Sequence, residues 1–226
     1  MMSERSSHLS SGVRIYLLLG NMLPLLHCGL CIALLVCESW TLSNRIAAAL
    51  AALYLLPPLL ARIVLCIVPI SVEPVTVKSK QFVAWWMLAQ LQGVFLRFPQ
   101  LDEALRLLPG AYSLWLRMWG SKIGRLTMWA PGVVILDRSF LHLGDDVVFG
   151  AGVRINPHVF RRRPDGEFEL LLAPVTVGAR AVVGGYSLLT AGTVIGPSEV
   201  TTAHLLLPPF SRYVNGKREK PSGAAA

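Results

Sequence analysis

His158 is the residue whose type and position best suit proton-transfer chemistry, and it lies in segment 155–160, Ile-Asn-Pro-His-Val-Phe. Imidazole is the side chain that most readily exchanges a proton near neutral pH, so it can act as a base toward a hydroxyl or an amine. Asn156 is a candidate for orienting His158 or for binding that hydroxyl or amine. An asparagine that only lines a turn explains this position equally well.

Three consecutive arginines, Arg161, Arg162 and Arg163, begin an insert at residues 161–174 directly after this segment. Guanidinium groups bind phosphate oxygens through paired hydrogen bonds, so the three arginines are candidates for binding a phosphate of a substrate or cofactor. A solvated basic loop is the alternative, because short runs of like charge commonly face water. We expect the insert to form a hairpin-like flap close to His158.

The elements that position these side chains come from a six-residue repeat over residues 123–200. The first residue of each unit is large and apolar, and the fifth is Thr, Val, Ser or Ala except for Glu199 in the last unit. The register slips by two residues at Leu141 and His142, and the insert interrupts it once. A short fixed period of this kind is typical of a β-solenoid, in which each unit buries its apolar residues against the next. Six residues per face and three faces per turn predict a coil whose core contains the first positions.

The repeat resembles that of the hexapeptide-repeat acyltransferases, whose units wind a left-handed parallel β-helix. The lead-in Leu-Arg-Met-Trp-Gly-Ser-Lys-Ile-Gly at residues 116–124 is similar to the one in the sugar O-acetyltransferases of this family. It is also similar to the C-terminal acyltransferase-like region of membrane-bound synthetases that make amino-acid polymers. The resemblance covers residues 115–218 and implies a left-handed β-helix domain at 120–200, followed by a C-terminal extension at 201–226.

The resemblance also implies a reaction and a site. His158 lies where the family has its catalytic base, beside a loop that leaves the coil and near the neighbouring subunit of a homotrimer. The acceptor is attacked directly, without an acyl-enzyme, and the donor is a thioester of coenzyme A or of an acyl or peptidyl carrier protein. By the same analogy the donor-binding residues are Gly185, Tyr186, Ala203, Lys217 and Arg218.

A metal site is an alternative for the histidines. His142 precedes His158 by sixteen residues, nearly one turn of a coil with three six-residue faces, so the two can lie near one corner. Carbonic anhydrases that share the family's fold bind zinc with three histidines, which raises the alternative of a zinc hydratase. His204 lies beyond the last repeat, so only two histidines are brought together and we expect no metal.

The chain is too apolar for an ordinary soluble domain, since 54% of its 226 residues are hydrophobic and only 15% are charged. After a flexible N-terminus at 1–12, two apolar runs at 13–37 and 46–70 are each long enough to cross the roughly 30 Å hydrocarbon layer. They predict a transmembrane helical hairpin over 13–70, with the second helix kinked or interrupted at Pro57-Pro58. A cleavable signal peptide is the competing interpretation of the first run, and the length of that run argues against it.

Residues 81–119 predict amphipathic or interfacial helices between the hairpin and the repeat. Trp85 and Trp86 favour the headgroup zone of a bilayer. The polar residues interspersed over 81–98 make an in-plane helix a better prediction than a third span, which remains the alternative.

Charge indicates the surroundings of the protein. The net charge is +8, but the basic residues are scattered and no aromatic-plus-basic motif accompanies them, so we expect no nucleic-acid partner. Anionic membrane lipid or phosphate groups are the expected partners. Basic residues flank the two outer ends of the hairpin, which predicts that both ends, and the β-helix that follows, lie in the cytoplasm. The expected location is the bacterial inner membrane.

Together these features predict a membrane-anchored acyltransferase with His158 as general base. The second hypothesis is a non-catalytic β-helix trimer that scaffolds partner enzymes at the membrane. It draws on one departure from the family: segment 213–218 resembles the family's terminal motif but lacks its Pro-Ala pair.

Overall fold

The structure is a computed structural model that describes residues 11–70, 72 and 74–219. Most of the predicted flexible N-terminus, residues 1–10, and the end of the predicted C-terminal extension, residues 220–226, lie outside the described residues. The helices are α1 (Ser11–Gly20), α2 (Leu23–Val36), α3 (Leu42–Tyr54), α4 (Leu56–Ile67), α5 (Lys80–Leu91), α6 (Gly93–Arg97), α7 (Gln100–Arg106) and α8 (Ala111–Met118).

The strands are short and concentrate in the second half of the chain. They are β1 (Val75–Thr76), β2 (Lys122–Ile123), β3 (Met128–Trp129), β4 (Val134–Ile135), β5 (Leu141–Leu143), β6 (Val148–Phe149), β7 (Arg154–Asn156), β8 (His158–Arg162), β9 (Phe168–Leu172), β10 (Val175–Val177), β11 (Val182–Val183), β12 (Leu188–Thr190), β13 (Val194–Ile195), β14 (Leu206–Leu207), β15 (Arg212–Val214) and β16 (Lys217–Glu219).

Three parallel sheets make up the repeat region, and the chain visits them in the same cyclic order. Their orders are β2-β5-β10-β13-β15, β3-β6-β11 and β4-β7-β12-β14. Lys122 pairs with His142, twenty residues on, whereas Thr176 pairs with Val194, eighteen residues on. The two-residue slip in the repeat therefore lengthens the first circuit. The second circuit contains the insert, so His142 pairs with Thr176, thirty-four residues on, and the circuit after it has the eighteen residues of three six-residue faces.

The first residue of almost every unit is buried in this region of parallel sheets. Burying each of these aliphatic or aromatic side chains stabilises the fold by about 1.5–3 kcal/mol. Trp129 is the exception, because it is half-buried, stacks on Phe149 at 4.9 Å and donates from Nε1 to Ser113 of α8. The buried first positions are Ile123, Ile135, Leu143, Phe149, Ile155, Val177, Val183, Leu189 and Ile195.

The insert forms an antiparallel hairpin of β8 and β9, which confirms the predicted flap. A third strand, β1, pairs with β9 of this hairpin, with Val75 opposite Leu170. The six-residue repeat does not predict this strand. Lys78 and Glu167 then approach to 3.2 Å just beyond this strand. The segment that follows the apolar hairpin is therefore bound directly to the flap.

Two helical stretches, Gly12–Val36 and Leu42–Ile67, are long and apolar enough to cross a membrane by length and composition. Each is interrupted once. The first breaks between α1 and α2, and the second breaks at Leu55, directly before Pro57-Pro58, as predicted. Proline has no N–H to donate, so the helical hydrogen bonding cannot continue unbroken through the pair.

Helices α5 to α8 pack on the coil. The face of α5 that carries Phe82, Trp85 and Leu88 is buried, and these residues belong to one hydrophobic cluster that continues into the coil as far as Tyr213. The predicted helices at 81–119 are therefore part of the domain that contains His158. A contact of their other faces with a bilayer stays a prediction.

Candidate functional site

His158 is paired with a buried carboxylate. Its Nδ1 lies 2.5 Å from Oδ2 of Asp137, and the side chain of Asp137 is 1% exposed while that of His158 is 20% exposed. An ionised carboxylate only accepts hydrogen bonds, so Nδ1 is the donor of this pair, and in the neutral imidazole Nε2 then carries the lone pair. The imidazole is therefore fixed in the tautomer that can take a proton at Nε2.

Trp85 of α5 holds the same carboxylate from the other side. Its indole Nε1 donates to Oδ1 of Asp137 over 2.9 Å. Its ring also meets the ring of His158, with the centroids 4.8 Å apart and an interplanar angle of 63°. Three elements thus converge on this point: helix α5, the loop after β4 and the first residue of the flap.

The residue after Asp137 anchors this loop in the helices. Arg138 is 1% exposed, and its Nη2 donates to Oδ2 of Asp102 over 2.7 Å. Its backbone N–H donates to Oε1 of Gln92, also over 2.7 Å. A buried guanidinium requires such partners because leaving it uncompensated costs several kcal/mol. The backbone that carries Asp137 is therefore bonded to α7 and to the residue that follows α5.

Tyr112 of α8 completes this buried cluster. Its hydroxyl donates to Oδ2 of Asp102 over 3.1 Å. Burial raises the pKa of Tyr112 well above its usual range, and the negative charge of Asp102 raises it further. The phenol therefore keeps its proton and serves as a permanent donor to Asp102.

The described structure shows no hydrogen bond between Asn156 and His158, so a role of Asn156 in orienting the imidazole stays a prediction. The ring is held by Asp137 instead, and Oδ1 of Asn156 is buried without a hydrogen-bond partner among the described residues. In register, Asn156 lies opposite Thr190 on the neighbouring strand β12. Its predicted role in acceptor binding stays a prediction.

The three flap arginines bind groups of the flap itself. Arg161 contacts Oε1 of Glu169 through both Nε and Nη2, and Nη2 of Arg163 lies 3.1 Å from Oδ2 of Asp165. Arg162 donates to the carbonyl of Gly166 and lies over the ring of Phe168. Phosphate binding by Arg161, Arg162 and Arg163 stays a prediction, and a phosphate there competes with two carboxylates.

Three of the five predicted donor-binding residues meet at one corner of the coil. The carbonyl of Gly185 accepts from the backbone N–H of His204, which brings Ala203 alongside it. Tyr186 is exposed, and its ring stacks on that of His204 at 5.3 Å and 12°. Their role in binding a donor stays a prediction.

The other two predicted donor-binding residues, Lys217 and Arg218, lie on β16 in the terminal β15–β16 hairpin. Arg218 donates from Nη1 to the carbonyl of Leu206 over 3.3 Å. The terminal hairpin is thereby attached to the edge of the β4-β7-β12-β14 sheet.

His142 lies on β5, between Lys122 of β2 and Thr176 of β10. Burial lowers the pKa of His142, and the nearby positive charge of Lys122 lowers it further, so the neutral ring is favoured. Within residues 11–70, 72 and 74–219, no group of three or more His, Cys, Asp or Glu side chains could hold a metal ion. The described structure therefore offers no observation in favour of the zinc alternative.

The sequence interpretation missed Asp137, although a signal for it existed. Ile135 pairs with Ile155 in parallel register. Two residues further along, position 137 therefore lies opposite Pro157 on the next turn and close to His158. A carboxylate one circuit before the histidine could have been found from the repeat once the two-residue slip was included. Trp85 gave no such signal, because it lies 52 residues before Asp137.

In comparisons with known proteins, this chain matches solved structures. No family model matches the chain, and no curated protein matches it. One match is a hexapeptide-repeat-containing acetyltransferase of Vibrio cholerae complexed with acetyl coenzyme A, with 17% identity over 58% of this chain and 87% of that chain, at a TM-score of 0.39.

Two further matches are sugar acetyltransferases. A maltose O-acetyltransferase of Clostridium difficile is 15% identical over 65% of this chain and 90% of its own, at a TM-score of 0.37. A galactoside acetyltransferase in complex with coenzyme A is 15% identical over 57% of this chain and 83% of its own, at a TM-score of 0.35. The hexapeptide-repeat acetyltransferases predicted from the sequence are thus among the solved structures that this chain is similar to.

Proposed function

We propose that the protein is a membrane-anchored acyltransferase that moves an acyl group from a thioester to a hydroxyl or amine of a membrane-associated acceptor. The observation that carries the proposal is the pair of His158 and Asp137 at the base of the flap. A carboxylate on Nδ1 holds the imidazole in one orientation and stabilises the imidazolium that forms when Nε2 takes a proton.

The reaction follows from this arrangement. Nε2 of His158 removes the proton of the acceptor while the acceptor oxygen or nitrogen attacks the thioester carbonyl, which forms the new bond and an oxyanion. A backbone N–H steadies the oxyanion. Collapse of this intermediate breaks the carbon–sulfur bond, and the imidazolium returns the proton to the departing thiolate. The products are the acylated acceptor and a free thiol, with no acyl-enzyme.

For the donor we propose a coenzyme A thioester, with a carrier-protein thioester as the alternative. The corner formed by Gly185, Tyr186 and Ala203 is the proposed path of the pantetheine arm. Lys217 and Arg218 on the terminal hairpin are the proposed partners of its phosphates. The exposure of Tyr186 supports a binding role, since 64% of this large side chain is in contact with solvent.

We further propose that the coil is a left-handed parallel β-helix that assembles as a homotrimer with its sites between subunits. The cyclic order of the three parallel sheets supports the β-helix. The outer face of the β3-β6-β11 region carries exposed apolar side chains, with Met128 at 64% and Val200 at 67% exposed. Such residues on one face favour burial against another copy of the chain.

The membrane anchor is proposed from the two apolar helical stretches. Only 6% and 17% of their most apolar windows are buried within the protein, whereas the core helix of a soluble protein is mostly buried. Helices this apolar and this exposed require lipid or another apolar partner. We propose that they cross the inner membrane of a bacterium and hold the β-helix at its cytoplasmic face.

The test is the variant His158→Ala in detergent-solubilised protein supplied with acyl coenzyme A and a membrane lipid extract. Thiol release that depends on the extract is expected to fall by about 10²- to 10⁴-fold, the usual contribution of a general base. His142→Ala is the matched control, because His142 lies on the coil outside the pair, and it is expected to keep its activity. A folded His158→Ala protein with full thiol release would overturn the assignment.

One observation keeps a non-catalytic scaffold as the second candidate. The flap arginines that could bind a donor phosphate are already paired with Glu169 and Asp165. A scaffold predicts no thermal stabilisation by acyl coenzyme A at any concentration, whereas a donor site predicts a concentration-dependent rise in Tm.

A further inference from the structure

A groove of about 300 Å³ lies between α1, α4 and α5, away from the His158 pair. Apolar side chains form its walls, and a short basic segment at the start of α5 lies at one end. The residues that matter to its chemistry are Tyr16, Val64, Ile67 and Met87 in the walls, and Lys78 and Lys80 at the end.

The two ends of the groove differ in chemistry. Lys78 and Lys80 follow the second apolar stretch, which ends at Ile67, so they lie where the proposed span leaves the bilayer. Lys80 is exposed and has no carboxylate within ion-pair distance in the described part of the chain. Lys78 is paired with Glu167, but both side chains are about half exposed, and such pairs contribute little. Within the described residues neither ammonium group is therefore held by a strong ion pair that an anion would have to displace.

Helix α5 connects this groove to the His158 pair. Val83 and Met87 line the groove, while Phe82 and Trp85 on the other side of the helix contact the flap and His158. Lys80 and Trp85 are five residues apart, about 7.5 Å along a helix axis. A group bound at the lysines therefore lies close to the edge of the flap.

We propose that this groove binds the acyl chain of the acceptor, and that the acceptor is a membrane lipid with a phosphate headgroup. The apolar walls hold the chain, and Lys78 and Lys80 bind the phosphate. The hydroxyl or amine beyond the phosphate then reaches His158 under the flap. Charge complementarity selects this occupant, because an apolar groove that ends in two cations at a membrane surface fits an anionic lipid. The inference rests on the proposed function and adds the class of acceptor to it.

The test uses the full chain in vesicles of neutral phospholipid with a photoreactive group on an acyl chain of the probe. One probe is phosphatidic acid, and the other is the diacylglycerol with the same chains. Phosphatidic acid is expected to label peptides of α4 and α5 at least fivefold more than diacylglycerol. Equal labelling by the two probes, or labelling confined to other helices, would overturn the proposal.

Two pairs of variants locate the two halves of the site. Lys80→Glu is expected to reduce labelling by phosphatidic acid to the level of diacylglycerol, whereas Lys122→Glu, on the coil, leaves it unchanged. Met87→Trp fills the groove and is expected to reduce labelling by both probes, whereas Leu25→Trp, on an exposed face of α2, has no effect. Unchanged labelling in Lys80→Glu or Met87→Trp contradicts the proposal.

The same vesicles, supplied with acyl coenzyme A and with the membrane lipid extract as the source of acceptor, report on the proposed function separately. His158→Ala is expected to keep the labelling and to lose thiol release from acyl coenzyme A. If the two probes label equally while thiol release still depends on His158, the proposed lipid-binding groove is overturned and the proposed function stands. Selective labelling with no His158-dependent thiol release overturns the proposed function, and with it the identification of the bound lipid as an acceptor.

Discussion

At the scale of single residues, the site depends on one carboxylate with two donors. Asp137 accepts from His158 and from the indole of Trp85, one on each oxygen. Hydrogen bonds to a charged group contribute about 1.5–3 kcal/mol each, so both the rotamer of the carboxylate and the orientation of the imidazole are strongly held. Trp85 acts through the carboxylate that it holds, and we regard it as a positioning residue.

The variant Trp85→Phe tests this role. It keeps an aromatic ring but removes the donor to Oδ1 of Asp137, which leaves the carboxylate and the imidazole free to turn. We expect kcat to fall about tenfold, the effect of roughly 1.4 kcal/mol, while KM for the thioester donor stays the same. Steady-state kinetics with acyl coenzyme A measure both.

Trp86→Phe is the matched control. Its indole donates to the backbone carbonyl of Leu17, over 3.3 Å, and therefore holds α1 rather than the His158 pair. Its kcat is expected to be unchanged. Equal kinetic losses in the two variants would assign Trp85 a merely structural role.

At the scale of elements, helices α5 to α8 hold the loop that carries Asp137. The buried ion pair of Arg138 and Asp102 joins the loop after β4 to α7, and Gln92 bonds to the backbone of the same loop. A buried ion pair of this kind helps to fix the position of the loop. The loss of one partner leaves the charge of the other buried and uncompensated. The helices are therefore a structural requirement of the site, in addition to their proposed connection to the membrane.

The variant Asp102→Leu is expected to lower the free energy of unfolding by about 3–5 kcal/mol, because Arg138 stays buried without a counter-charge. Denaturant unfolding of the detergent-solubilised protein measures this. Glu167→Ala, which breaks the exposed pair with Lys78, is the control and should cost about 1 kcal/mol or less.

The double variant Asp102→Leu with Arg138→Met separates charge from packing. Removing both charges is expected to give a protein more stable than either single variant, since no buried charge is left unpaired. Losses that simply add in the double variant would show that the two residues act independently.

At the scale of the whole molecule, one hydrophobic core runs from α5 through the coil, while the apolar helices α1 to α4 remain largely exposed. Most of the exposed large apolar residues of the described structure lie in this helical, N-terminal end of the chain. If this end spans the inner membrane as proposed, the turn between α2 and α3 and the coil lie on opposite sides of the bilayer.

Cysteine labelling in intact spheroplasts tests this arrangement. Cys37 directly follows α2, and an impermeant maleimide is expected to label it from outside, with Cys37→Ser as the control. A cysteine introduced by Arg212→Cys on β15 should react only after permeabilisation. Labelling of both without permeabilisation, or of Arg212→Cys alone, contradicts the orientation.

The six-residue period and other local sequence signals determined which residues are buried in the repeat region and where its regular structure is interrupted. The burial of Ile135, Phe149 and Leu189 follows from the six-residue period, because each unit repeats the same contact with its neighbour. The interruption before Pro57-Pro58 follows from proline geometry, and the flap follows from the break in the repeat. His158 could be singled out for the same reason, since its position beside the flap is readable from the sequence.

Tertiary structure alone decided what surrounds His158. Asn156 is the nearer polar residue in sequence, yet the coil brings Asp137 to the imidazole, because stacked turns join residues one circuit apart. Composition assigned Trp85 to a bilayer interface, whereas the folded chain buries it on Asp137. An aromatic, apolar helix has the same composition whether lipid or protein covers it. Which of the two covers Trp85 depends on contacts between residues far apart in the chain.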